Sequence, residues 1–364
     1  MPLNLPPIMS ARNLIGTIQA VKPGLPDVLH PGFESQTTKK VSGNTSTYFS
    51  VDGTRETAKL VHYGAPSVRR TLSGVAEKPV VLPHFKENID VKAHDLVNLM
   101  DQDENRQRLG EAEIARLVQE AKQILVNTRR AMLASALALG KIYIGSDGKM
   151  LSSSSGAQIE IDFAIPSGNK DQLNVFGDGA IIDASWGTAG TKIVRHIQLL
   201  MKAAARLSGY AITDAIYGAN ILDYFLGNTQ LKEIIFRNAT YQDAFSKGIV
   251  PNGFLGLRWW PGYQFFWQDG TSYKEVVGGD TIVFHPTPDP TWFEWQEGSA
   301  PVPGDLGKVS GDLEDAVASI TLATGMFAYA KVTDDPVGAT MIYGDTNLPI
   351  VKAKKSIFIA DVVP

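Results

Sequence analysis

Six histidines, at positions 30, 62, 84, 94, 196 and 285, are the first residues to weigh for metal binding or proton transfer. They fall in different expected elements. No two stand at the helical spacing that would aim two imidazoles at one ion. His196, beside Arg195 on an expected helix, reads as a surface or core residue. The densest acidic group is Asp101-Gln102-Asp103-Glu104. A calcium loop would need a glycine turn and a later glutamate in register, and neither follows. These acids read instead as a solvated loop approaching a helix N-terminus, where negative charge is favoured. The chain carries no Gly-x-Ser-x-Gly elbow, no phosphate-binding loop, no His-Glu-x-x-His and no dinucleotide glycine fingerprint. It has no cysteine, which excludes disulfides, thiolate nucleophiles and thiolate-bound zinc. No catalytic, cofactor-binding or metal residue is expected, and the chain does not read as an enzyme.

Two other groups could make contacts. Trp259, Trp260, Tyr263, Phe265, Phe266 and Trp267, with Trp292, Phe293 and Trp295, hold five of the six tryptophans. Their rings could stack on sugar faces, which would make a carbohydrate-binding or carbohydrate-active protein. The stronger expectation is a small core with a contact surface, since aromatic residues anchor both. Arg69-Arg70 lies at the tip of an expected β-excursion that also carries Lys59 and Lys78. An exposed ion pair is worth little singly, so these four are candidate contacts and not a site.

These residues need elements to place them. Residues 1–32 are proline-rich, which favours extended backbone. They read as an arm that gains order by lying on something else, with Leu14 to Val21 as a short strand or helix. Residues 33–83 read as a long β-excursion. Thr47 to Val51 and Thr57 to Tyr63 flank an Asp52-Gly53 turn, and Pro79 to Leu82 returns as a strand. Such an excursion has too little apolar content to be stable alone. Residues 84–110 read as a polar connection. Over 111–139 the residues Ile114, Leu117, Val118, Ala121, Ile124, Leu125, Met132 and Leu133 recur at helical spacing, with Arg129 and Arg130 toward the end that favours cations and Gly140 as the stop. A hairpin follows, from Lys141 to Ile144 and Gln158 to Phe163. From Thr191 the pattern is helix (193–207), strand (210–216), helix (218–226) and short helix (230–236). It then turns β-rich and aromatic to about 295. The last strands are expected at 326–332, 339–343 and 356–363.

The chain is 364 residues, 44% apolar and 20% charged, with a net charge of -4. That is enough for one large or two medium domains. Gly at 34 and Pro at 20 suit turns and arms more than a helical bundle. No basic face for gripping duplex DNA is expected. The first residues lack a basic and apolar leader pattern. No run of about 18 apolar residues marks a membrane span.

In order, these parts resemble the lambda-type phage major head proteins, the phage major capsid protein E family, within the Hong Kong 97-like capsid fold. Four stretches carry the resemblance. They are the excursion 45–83 closing into Pro83-His84-Phe85-Lys86-Glu87-Asn88-Ile89-Asp90, and the polar lead Leu99-Met100-Asp101-Gln102-Asp103 into helix 111–139 and Gly140-Lys141-Ile142-Tyr143-Ile144. The others are Tyr217-Gly218-Ala219-Asn220-Ile221-Leu222-Asp223-Tyr224-Phe225-Leu226, and the end from Thr333-Asp334-Asp335-Pro336 to Val363. The resemblance implies an α+β fold. Its parts would be an N-terminal arm (1–32), an extended loop region (33–83) overlapping a neighbouring subunit, a peripheral domain (84–190, with 321–364 returning to it) and an axial domain (191–320). It implies hexamers and pentamers of this chain in an icosahedral head around double-stranded DNA, which is touched only non-specifically. A separate scaffolding protein, a portal and a decoration protein are the implied partners. Assembly would be in the host cytoplasm, with no cofactor and no membrane. An encapsulin-like nanocompartment subunit has the same implied fold. Nothing in the sequence gives Lys59 or Lys78 a crosslinking role.

Overall fold

The computed structural model describes residues 11–20, 29–35, 37–51, 75–91, 94, 104–177, 179–264, 266–269, 272–275, 277–303, 320–334 and 337–363. The chain opens with helix α1 (Ala11–Ala20), a single turn α2 (Gly32–Ser35) and strand β1 (Thr38–Lys40). Strands β2 (Thr45–Val51) and β3 (Val75–Val81) pair antiparallel, from Thr45 opposite Val81 to Val51 opposite Val75. The partner of the first excursion strand is therefore Val75–Val81. The expected Thr57–Tyr63 strand and Asp52-Gly53 turn lie outside the described residues.

Strand β4 (His84–Val91) replaces the polar connection expected there. It lies against the long strand near the C-terminus with Ala339 opposite Val91 and Thr346 opposite His84. Only Phe85, Ile89 and Val91 turn inward, while most of its residues are exposed. An edge strand of this kind carries charges on its open side, which is why its pattern reads as polar.

The spine helix α3 runs Glu104–Ala138, 35 residues, about 50 Å at 1.5 Å per residue. It starts seven residues before the helix expected from periodicity. Residues 105–109 are all exposed, so this first stretch has no apolar stripe to reveal it. Gly140 ends the spine at φ +70°, and a Cβ there would come within 2.7 Å of the Ile165 side chain. Both the left-handed backbone and the close approach require glycine. The next three strands, β5 (Lys141–Gly145), β6 (Met150–Leu151) and β7 (Ala157–Asp162), form a small sheet with β5 in the middle.

After the short β8 (Lys170–Asp171) a second lobe begins. It contains α4 (Ile193–Leu207), β9 (Asp214–Tyr217), α5 (Ile221–Gly227), α6 (Thr229–Phe236), α7 (Ala239–Ser246) and β10 (Arg258–Pro261). Helix α7 was not expected from the sequence. Asn228 and Asn238 cap α6 and α7 by accepting from backbone N–H groups. Strand β9 is shifted toward the C-terminus relative to the expected 210–216. Strands β11 (Phe266–Asp269) and β12 (Ser272–Glu275) form a hairpin, and β13 (Thr281–His285) returns to β9.

The chain then goes back to the spine. Strand β14 (Phe293–Glu297) is followed by the hairpin β15 (Ser299–Pro303) and β16 (Ile320–Thr324), then β17 (Phe327–Asp334) and β18 (Val337–Val351). Strand β18 is 15 residues long. Its first part is flanked by β17 and β4, and its last part pairs with β14, which in turn takes β1 in parallel. The last strand, β19 (Phe358–Asp361), does not stay with this layer. It enters the second lobe's sheet, ordered β10-β9-β13-β19-β8. Strands β17 and β18 thus lie over the spine, whereas β19 lies in the second lobe's sheet. Phe358, Ala360 and Val362 belong to the core of the second lobe.

The three larger apolar clusters among the described residues follow this path. One joins the C-terminal half of α3 to β14, β18 and the β5–β7 sheet. A second fills the lobe of α4 to α7 and its sheet, with Phe254, Trp259 and Trp186 each in ring contact with Phe225. A third joins the N-terminal half of α3 to α1, β4, β17 and β18.

Candidate assembly surfaces

The described part of the N-terminal arm packs on its own subunit. Leu14 and Ile18 of α1 are buried in the third cluster, and α1 packs against β17 and α3. Two hydrogen bonds tie its end. Gln19 Nε2 donates to the Met326 carbonyl at 3.1 Å, and Lys122 Nζ on the spine donates to the Gln19 carbonyl at 2.9 Å. Burial lowers the Lys122 amine below its ordinary value; Arg129 acts the same way, and Glu34 opposes. Further on, Leu29 and Phe33 enter the first cluster, and β1 extends the sheet at β14.

Under this segment sits a buried charge cluster. Arg129 Nε and Nη2 donate to the two carboxylate oxygens of Asp345 at 2.5 and 2.9 Å, and Nη1 reaches Glu297 at 2.8 Å. Asn347 also donates to Asp345. The Arg129 and Asp345 side chains are 9% and 1% exposed. A two-toothed geometry with a third donor is that of an ionised carboxylate. Burial disfavours the Arg129 charge, but Asp345 and Glu297 more than offset it and raise its affinity for the proton. The guanidinium also lies 5.8 Å from the Trp295 ring. Arg129 thus holds α3, β14 and β18 together. The dipole-based expectation missed this, although an arginine four residues from both Leu125 and Leu133 on an apolar stripe was its signal.

The second cluster joins the arm to the other lobe. Asp214 on β9 is fully buried. It accepts from Arg258 Nη2 at 2.7 Å, Trp260 Nε1 at 3.0 Å and Thr213 Oγ1 at 2.6 Å. Burial raises its carboxyl, but His285 and these donors outweigh burial and hold it below its ordinary value. His285 and His30 stand beside it. His196 is a separate case: it is buried, accepting from Trp186 Nε1 at 3.1 Å with Nε2 2.9 Å from Asp183.

Of the four expected contact residues, one lies among the described residues. Lys59, Arg69 and Arg70 lie outside the described residues. Lys78 is half-buried on β3 opposite Tyr48. The hairpin that carries it exposes Phe49 and Val81 at 53% and 61%. A groove of about 660 Å³ runs between the edge of β4 and the β5–β7 sheet. Ile124, Leu125 and Ala131 of the spine form its floor, and Phe85, Ile144 and Ile159 line its walls. Of the acidic group, Glu104 opens α3 and the rest lies outside the described residues. Among the described residues no group of His, Asp and Glu could hold a metal ion, and no helix is long and apolar enough to cross a membrane.

Three tryptophans of the aromatic stretch present no face to a sugar. Trp259, Trp292 and Trp295 are buried at 4%, 0% and 1% exposure, and they fill the two main cores.

A 35-residue spine under a β-layer, a projecting two-stranded hairpin, a docked arm and a compact second lobe describe a shell-forming subunit. The fold is α+β of the Hong Kong 97-like capsid type. A prophage protein of Escherichia coli CFT073 assigned as its capsid protein superposes with a TM-score of 0.53 at 16% identity, covering 97% of this chain and 99% of that one. A phage-related protein of Bordetella bronchiseptica RB50 is similar over 97% of both chains, with a TM-score of 0.49 at 10% identity. No curated protein sequence matches. The family model described as phage major capsid protein E matches residues 10–360, and the chain belongs to that family. It is a bacteriophage major capsid protein, a virion component that assembles with copies of itself.

Proposed function

We propose that this chain builds an icosahedral phage head from hexamers and pentamers, enclosing double-stranded DNA, with no catalytic step of its own. Residues 191–320 meet their copies at the capsomer centres as the axial domain, and the 33–83 region lies across a neighbour. The observation that carries this is the β2–β3 hairpin. It forms a sheet of its own, rests on the first cluster through Tyr48, Val80 and Leu82, and leaves Phe49 and Val81 in solvent. A two-stranded hairpin is marginal without a surface to lie on, and the groove beside β4 is a surface of the kind a neighbouring copy offers. The mildly acidic balance, -4 over the chain, keeps the inner wall from binding packaged DNA tightly. A separate scaffolding protein, a portal and a decoration protein complete the assembly in the host cytoplasm.

Negative-stain microscopy of the expressed chain, alone and with the product of a neighbouring scaffold gene, tests this. Shells, tubes or six-membered rings are expected. A persistent monomer under both conditions refutes it.

A further inference from the structure

Two imidazoles lie where the N-terminal segment meets the body, and each has a ring nitrogen that carries no proton. His30 Nδ1 accepts from the Gly32 backbone N–H at 2.9 Å. A ring nitrogen that accepts carries no proton, so protonating His30 breaks this bond at the start of α2. The His30 ring lies edge-on to Trp260, with centroids 5.2 Å apart. His285 is fully buried at the end of β13. Its Nδ1 lies 2.7 Å from the Pro286 carbonyl oxygen, which can only accept, so Nδ1–H donates. Nε2 is then the bare nitrogen, and it has no hydrogen-bond partner among the described residues. The ring is packed between Phe33 of the arm, at 5.2 Å, and Trp292, at 6.0 Å. A proton at Nε2 would create a buried N–H and a buried charge against two aromatic rings, which is costly.

Charged groups face these rings from several elements, and Glu34, Arg129 and Arg130 line one cavity with His30. His285 feels Asp214 on β9, Arg258 on β10 and His30 itself; His30 feels Asp214 and Arg258. Asp214 attracts a new proton on either ring. It is already occupied by Arg258, Trp260 and Thr213, and Arg258 repels.

We propose that His30 and His285 form an acid-sensitive clasp on residues 29–40, so that protonation frees this segment, with Phe33 and β1, while the second lobe stays folded. Burial lowers both imidazoles, with His285 brought down to about 4. The release window therefore lies between pH 6.5 and 4. The inference concerns the single subunit and stands apart from the assembly reading above.

Hydrogen exchange followed by mass spectrometry on the full chain, between pH 7.5 and 4.5, tests it once rates are corrected for intrinsic pH dependence. Amides of residues 29–40 are expected to lose at least tenfold in protection by pH 4.5 while those of 193–207 keep theirs. In a His30→Asn/His285→Asn variant that drop should vanish. Simultaneous loss in both regions overturns the proposal, as does no loss in residues 29–40 or an unchanged drop in the variant. If the double variant does not fold, His30→Asn alone decides. A smaller drop supports the clasp, and an identical profile refutes it.

Discussion

Replacing Asp345 with alanine should destabilise the subunit more than replacing both members of its pair. The Arg129 side chain is 9% exposed and keeps three ion-pair bonds, two of them to Asp345. Removing one partner of a buried pair costs about 3–5 kcal/mol, because the remaining charge is left without compensation. Glu297 stays at 2.8 Å, which places Asp345→Ala near the lower end, about 3 kcal/mol. The opposite deletion behaves differently with pH. A guanidinium cannot shed its proton, but a carboxyl can take one up. In Arg129→Met the buried Asp345 titrates above its unfolded value. The variant therefore loses most stability at pH 8 and recovers as pH falls through that raised value, while Asp345→Ala shows no such recovery from this site. Arg129→Met/Asp345→Leu replaces both buried charges with apolar bulk but takes the guanidinium from Glu297, whose side chain is 15% exposed; it should cost about 1–2 kcal/mol, less than either single variant. Urea unfolding followed by tryptophan fluorescence measures all four proteins, with Trp295 beside the guanidinium as a local reporter. If Asp345→Ala costs under about 1 kcal/mol, or the double variant is as weak as the singles, the cluster does not hold the three elements together.

Other expectations follow from single contacts. Lys122→Met removes the charged donor to the Gln19 carbonyl and should loosen α1 by about 1.5–3 kcal/mol, seen as faster exchange at residues 11–20 with the second lobe unchanged. Gly218→Ala puts a Cβ 2.0 Å from the Gly278 oxygen and 2.6 Å from the Gly279 oxygen. Both are backbone atoms, so a loss of about 3 kcal/mol or more and a lower Tm or insoluble protein are expected. His285 is brought down to about 4 from its ordinary 6.5. Its neutral form contributes stability that is whole above 6.5 and lost as pH falls to 4, about 3 kcal/mol in all. A wild-type stability curve that is flat across that interval would exclude this linkage.

The spine was legible because its stripe from Ile114 to Leu133 meets one continuous apolar surface, and Gly140 marks its end chemically. The extra turns from Glu104 were not legible, since residues 105–109 are all exposed and leave no apolar period. Strand β4 was hidden for a related reason. Only one face of this edge strand is buried: Lys86 and Asp90 lie on the other, and Glu87 interrupts the inner face, where it accepts from the Tyr343 hydroxyl. The aromatic stretch was legible as core, because Trp259, Trp292 and Trp295 each sit among other large rings.

The clusters that position the arm could not be read from local pattern at all. Arg129 and Asp345 are 216 residues apart in the chain, and His30 and His285 belong to segments that only the fold brings together. Periodicity records which face of an element is buried, not which distant side chain it meets. An arginine on an apolar stripe or a histidine inside a β-rich aromatic run signals only that a partner must exist, because a buried polar group without one is costly. For this chain those partners lie on the arm and on the strands under it. The arm's first contact surface is therefore its own subunit, and any neighbour that takes it up must compete with the docking of Leu14, Ile18 and Phe33.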